Sequence, residues 1–127
     1  MMENLHNEIK LIAKDIHNME WDELVKENTD IRMYEKKLLN DPDTGMLINY
    51  CYYPQGFITP WHIHDKMSHG MYVLEGTLYT SQGSFGPGSF VWFPEGIVAE
   101  HGAAAEGGAT VLFITNAPFN ITYLDQE

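Results

Sequence analysis

The chain has 127 residues, with eighteen acidic against seven basic side chains for a formal charge of −11, and 44% of it is hydrophobic and 13% aromatic. That length supports one core with little room for a second, in an ordered globular composition. The acidic balance repels nucleic acid and anionic lipid, so neither is expected as a general partner.

Residues 1–27 read as a lead-in of mixed helix and extended segment, ahead of a domain spanning 28–127. Leu5, Ile9, Ile12 and Ile16 stand near helical spacing, but no cap opens the run. His6 and His17 sit among polar neighbours and are expected at the surface. No N-terminal stretch joins a basic flank to an unbroken apolar run, so no export signal is expected here.

From Ile31 the signal is β. IRMYEKKLL, the turn formers NDPDTG and then MLINYCYY predict a hairpin. Cys51, the single cysteine, excludes an internal disulfide, fits a reducing cytoplasm and is read as a buried small thiol. Pro54-Gln55-Gly56 ends that strand and FITPWHIH starts the next. MYVLEG then meets TLYT, with Glu75-Gly76 read as a tight turn between them. Ser81 to Ser84 is another turn, and FGPGSFVWFPEG holds a short strand punctuated at both ends by glycine and proline. IVAEHG, the small-residue loop AAAEGGA and TVLFIT complete the pattern. Eight or nine short strands without a long helix predict an all-β barrel or sandwich.

Two strands need a cover. FVWF and VLFI are apolar on both faces, although an antiparallel strand with one wet face should alternate. The lead-in could lie over the second face within the chain, or a second copy could do so in a homodimer, which is the assembly expected. The same runs are far too short to span a bilayer, so a soluble, cytoplasmic protein is expected.

The chemistry concentrates between Gly56 and Gly76, where His62, His64 and His69 fall within eight residues. His62 and His64 on an extended segment project to one face, since strand side chains alternate. His69 opens the following apolar run, close enough to fold back beside the pair. Neutral imidazole is the commonest metal ligand of this kind, and three converging copies suit a non-haem divalent centre. Imidazole serves Fe(II), zinc, nickel and copper alike.

Gly56, five residues, His62-x-His64, four residues, His69, six residues and Gly76 resemble the first signature of the cupin superfamily. Gly88, five residues and Pro94-x-Gly96 are similar to the start of its second signature. The resemblance implies a small single-domain cupin, a jelly-roll barrel of antiparallel strands. His69 stands where the family normally carries glutamate. Ala99 stands where it carries histidine, and His101 follows two residues later with the same strand parity. The resemblance therefore implies a metal site of His62, His64, His69 and His101, with a bulge after Gly96 restoring the displaced His101.

Among cupins, those with histidines in place of the glutamate include dioxygenases that cleave acetylacetone and dihydroxyacetophenone. The likeness implies a metal-dependent dioxygenase, with Fe(II) favoured, taking a small diketone or aromatic ketone that chelates the metal through oxygen. Phe57, Trp61, Met71, Val73, Phe93 and Phe113 are the expected pocket residues, and Glu75 and Glu100 the nearest carboxylates, with Glu75 expected in solvent. Two other readings use the same ligands: a non-catalytic binding or sensor module, and an isomerase or lyase, which needs a well-placed acid or base as well.

Overall fold

Residues 11–25, 32–103 and 106–124 are described by the structure, a computed structural model. Alternating apolar and polar residues, broken by glycine and proline, fold into strands wherever one face can be buried. Among the described residues these are β1 (Asp22–Val25), β2 (Arg32–Asn40), β3 (Leu47–Tyr53), β4 (Ile58–Ile63), β5 (His69–Gly76), β6 (Leu78–Thr80), β7 (Gly83–Phe85), β8 (Phe90–Phe93), β9 (Ala99–Ala103), β10 (Ala109–Thr115) and β11 (Thr122–Tyr123). They form two antiparallel sheets, one ordered β1-β2-β3-β10-β5-β8 and the other β11-β4-β9-β6-β7. The all-β expectation is met, and the only helical piece described is a 3-10 turn at Ile16–Asn18.

The hairpin expected from the NDPDTG turn is present as β2 and β3, closed by Gly45 N–H donating to Asp41 O at 2.8 Å. Gly45 takes φ +76, a left-handed conformation that glycine adopts without steric cost. The second expected hairpin does not form. β5 and β6 follow one another directly but lie in different sheets, so Glu75-Gly76 is a corner and not a hairpin turn. Gly76 at φ +75 lets the backbone pass against Gly108, whose carbonyl accepts from Thr77 N–H at 3.2 Å. A Cβ at Gly76 would stand 1.9 Å from that carbonyl oxygen.

Within the lead-in, Leu5, His6 and Ile9 lie outside the described residues, as does the boundary between 27 and 28. His17 is exposed, as expected. Asp22–Val25 pairs with β2 and becomes the edge of the six-stranded sheet. Just before it, Trp21 lies on the outer face of that sheet, with ring centroids 5.6 Å from Tyr50 and 6.4 Å from both Tyr34 and Tyr52. Lys36 Nζ stands 4.6 Å over the Trp21 ring and donates to Ile16 O at 2.7 Å. The lead-in thus covers the β2–β3 half of the outer face. The β5–β8 half keeps Tyr72, Leu74, Phe90 and Trp92 exposed.

Between the sheets, Met71, Val73, Leu78, Val111 and Cys51 are fully or almost fully buried. Burial drives the Cys51 thiol far up, which keeps it protonated and inert, as the small-thiol reading expected. No described helix is long and apolar enough to cross a membrane.

Candidate metal centre

β4 carries His62, with His64 one residue past its end, and an irregularity in its pairing sets where His62 points. Ile58 and Thr59 oppose Gly102 and His101, but His62 opposes Ala99, so Pro60 and Trp61 face a single residue of β9. This is a bulge, placed at a proline that has no N–H to give a ladder. Directly paired residues share a face, so the bulge lets Thr59 and His62 both turn inward although three positions apart. It also brings His62 to the interior face that carries His101. The bulge expected after Gly96 therefore lies on the partner strand, opposite Glu100.

His69 starts β5, between Phe93 of β8 and Thr115 of β10. Its ring packs 4.6 Å from Phe93 and 4.9 Å from Phe113. Around the interior the four imidazoles form a closed ring of edge-to-face neighbours. Centroids are 4.9 Å apart for His62–His64, 4.8 Å for His64–His69, 5.6 Å for His69–His101 and 5.0 Å for His101–His62. Nitrogens of His62, His64 and His69 all lie within 4.8 Å of one another. His101 forms the fourth corner, 5% exposed, and is displaced from that tighter triad.

Hydrogen bonds set which nitrogen faces inward. His62 Nδ1–H donates to Pro60 O at 2.6 Å, and His64 Nδ1–H donates to Asn120 O. That leaves His64 Nε2 buried without a partner among the described residues, as are both ring nitrogens of His69 and Nδ1 of His101. Buried polar atoms are almost always paired, so orphaned lone pairs converging on one point fit a bound cation. A donor set of imidazoles alone suits a divalent transition metal.

Burial also favours the neutral form of His62, His69 and His101, the state that ligates. His69 is lowered to about 3, first by desolvation and then by His64 and His62. His101 is driven well down by the same cause, and His62 is lowered by burial despite its bond to Pro60.

His64 lies one residue beyond β4 and is held from several sides. Its carbonyl accepts from Gly96 N–H at 3.0 Å. Asn120, besides accepting from the imidazole, takes Asp65 N–H on Oδ1 at 2.9 Å and gives Nδ2–H to Asp65 O at 2.5 Å. Phe119 lies 5.6 Å from the ring. Neither Asn120 nor Phe119 carries a local signal that sequence reading could use, since only the return of the C-terminal segment places them.

The histidines line one end of an interior cavity of about 500 Å³. Phe57 and Phe113 line it. Met71 and Val73 are instead at 0% exposure in the packed core, and Phe93 backs His69 from behind. Trp61 lies outside the cavity wall; its carbonyl accepts from Leu124 N–H at 3.0 Å. These four belong to the scaffold and do not border the void; for Met71 and Val73, strand parity places a residue inside the barrel without placing it beside the void. Tyr53, Phe119, Ile121 and Tyr123 contribute to the wall, as do two polar residues that sequence reading missed, Glu35 and Asn49. Glu100 binds the Tyr79 hydroxyl at 2.7 Å, and Glu75 is exposed, so neither expected carboxylate lines the cavity.

Solved structures share this architecture. The polyketide cyclase RemF from Streptomyces resistomycificus matches at a TM-score of 0.74 and 16% identity, covering 93% of this chain and 88% of that one. An RmlC-like cupin protein from Ralstonia eutropha matches at 0.72 and 23%, over 96% and 77% of the two chains. A sugar phosphate isomerase of the cupin superfamily from Silicibacter pomeroyi matches at 0.68 and 19%, over 90% and 82%. At these identities the likeness shows the fold alone. No curated protein matches the chain at a significant level. The family description "ChrR Cupin-like domain" fits residues 10–120, a span that takes in every strand but β11 and all four interior histidines. With the jelly-roll topology and the histidine-lined interior already in place, that match assigns the chain to the ChrR cupin-like domain family of the cupin superfamily.

Proposed function

We propose that this protein is a metal-dependent cupin enzyme of dioxygenase type, acting on a small diketone or aromatic ketone, with Fe(II) as the favoured ion. The observation that carries the metal is the ring of four buried imidazoles, of which His64, His69 and His101 hold buried nitrogens with no partner among the described residues. His62, His64 and His69 would hold the ion, with His101 the fourth donor. When bound, the ion supplies Lewis acidity toward a chelating carbonyl and, as iron, access to oxygen chemistry.

The remaining work falls to the chain itself. Pro60 O and Asn120 O fix the His62 and His64 tautomers. Phe113 and Phe119, with centroids 6.0 Å apart, and the stacked Tyr53–Phe57 pair at 5.3 Å, form an apolar wall that orients a small ligand and excludes water.

One observation favours a second reading, a metal-dependent isomerase or cyclase. Such chemistry needs an acid or base near the metal-held carbonyl, and Glu35 supplies a buried carboxyl on the same cavity. Two structural neighbours carry the names polyketide cyclase and sugar phosphate isomerase. The deciding experiment combines elemental analysis with oxygen uptake across a β-diketone panel. Bound iron with substrate-dependent oxygen consumption supports the dioxygenase. Metal without oxygen consumption moves the assignment to the second reading, and metal-free purified protein that takes up none on dialysis overturns both.

A further inference from the structure

The cavity has a second polar end. On the inner face of the six-stranded sheet, Glu35 of β2 opposes Cys51 of β3, and Asn49 lies two residues along β3 from Cys51. Both polar side chains line the same void as the imidazoles, at 9% and 7% exposure. Asn49 Nδ2–H donates to Glu35 Oε2 at 3.3 Å. Asn49 Oδ1 is buried and has no hydrogen-bond partner among the described residues. No Lys or Arg forms an ion pair with Glu35 within the described residues.

A buried acceptor without a donor costs stability, and a fold keeps such an atom where a ligand satisfies it. Along the wall Met33, Cys51, Tyr53 and Phe113 are chiefly apolar, and Lys37, the register partner of Asn49 on β2, lines the cavity without a hydrogen bond to Asn49 Oδ1. Burial raises the Glu35 carboxyl, with Lys37 opposing and Asp22 reinforcing that shift. The pair can therefore present a carboxyl oxygen as donor or acceptor beside a fixed amide acceptor. A hydroxyl matches both states, because it donates to Asn49 Oδ1 and can either donate to or accept from the carboxyl. Asn49 is two strands from His69, about 10 Å across the sheet.

We infer that the Glu35–Asn49 pair is a specificity site that binds a hydroxyl at the far end of a ligand whose carbonyl end is held at the histidine centre. This deepens the proposed function and rests on its metal-held carbonyl ligand. The ligand class narrows to hydroxylated carbonyl compounds about 8–10 Å long, a length set by the strand spacing between the two ends.

The test uses two probes, 1-phenylbutane-1,3-dione and its para-hydroxyphenyl counterpart. Their affinities for the zinc-loaded protein are measured by calorimetry, so no turnover is needed. The hydroxylated probe should bind about tenfold more tightly to the wild type, the ratio expected for one buried hydrogen bond to an otherwise unpaired acceptor. Asn49→Leu, matched in size, should bring that ratio to about one. A purely structural role for Asn49 would leave the ratio intact. Glu35→Leu, which removes the carboxyl and its bond to the hydroxyl, supplies a second variant should Asn49→Leu fail to fold, and should also reduce the ratio. Equal affinity of the two probes for the wild type, with the plain diketone bound, overturns this inference alone. Failure of both probes to bind the zinc-loaded protein overturns it together with the metal-held carbonyl reading.

Discussion

At the scale of single residues, His62 and His64 turn a nitrogen inward because the opposite one is already engaged by a backbone carbonyl. Replacing His62 or His64 with alanine removes one donor and one tautomer lock, and should strip most of the metal from purified protein. His101→Ala should leave a larger fraction bound, since three nitrogens still lie within 4.8 Å of one another. Elemental analysis of the three variants side by side checks the ranking; equal retention by all three would contradict it. Glu35 offers a test of electrostatics away from those ligands. Its carboxyl is raised from 4.5 chiefly by burial, so its contribution to stability is present below 4.5 and is lost as pH rises through the folded value. Glu35→Gln removes that loss. The variant should melt above the wild type at pH 7, and the gain should shrink to nothing below about pH 4. Melting curves at the two pH values read this directly, and a constant difference would exclude a buried ionisable Glu35.

At the scale of elements, the β4 bulge and the close passage of β9 against Phe57 build the site. Gly102 has no room for a side chain: a Cβ there would meet Phe57 O at 1.8 Å, and Gly102 adjoins His101. Gly102→Ala should cost about 2 kcal/mol or more, because the obstacle is backbone, and should weaken metal binding as β9 moves away from β4. Gly56→Ala is the control. Gly56 sits at φ +78 with nothing within 4 Å of its missing Cβ, so only conformational strain opposes the change, about 1 kcal/mol. Thermal melts should separate the two by several degrees, at about 4 °C per kcal/mol, with metal content unchanged in Gly56→Ala. Equal losses in both would mean that crowding at Phe57 O does not hold the strand in place.

At the scale of the whole molecule, the outer face of the six-stranded sheet is covered on one half only. Trp21 occupies the β2–β3 half, while Phe90 and Trp92, 6.3 Å apart and stacked, lie open with Tyr72 and Leu74. Phe90 rests over Gly70, where a Cβ would meet its ring at 2.7 Å, so that glycine lets the aromatic lie flat. We propose that a second copy covers this half, giving a homodimer whose apolar centre resembles a divided core. Light scattering should report twice the 14.5 kDa chain mass. Trp92→Glu, which places a charge in that centre, should return the mass to a single chain with metal binding intact. A wild-type mass of one chain at micromolar concentration would sink the proposal.

What the sequence determined by itself was local in origin. The NDPDTG turn required a hairpin, glycine and proline marked the strand ends, and the period-two spacing of His62 and His64 placed both on one face. His69 and His101 were legible through spacing and parity, which survive any arrangement of the sheets. The tertiary structure alone decided what depends on register between distant strands. Whether β5 and β6 pair was set by the corner at Gly76, and where the bulge falls was set by pairing across β4 and β9. The cavity wall was decided in the same way. Met71 and Val73 share the interior face with His69 but pack solidly between the sheets, whereas Glu35 and Asn49, distant in the chain from every ligand, border the open volume. Parity assigns a side chain to a face, but a void is the space left when two sheets close over one another, and its borders exist only after they have closed.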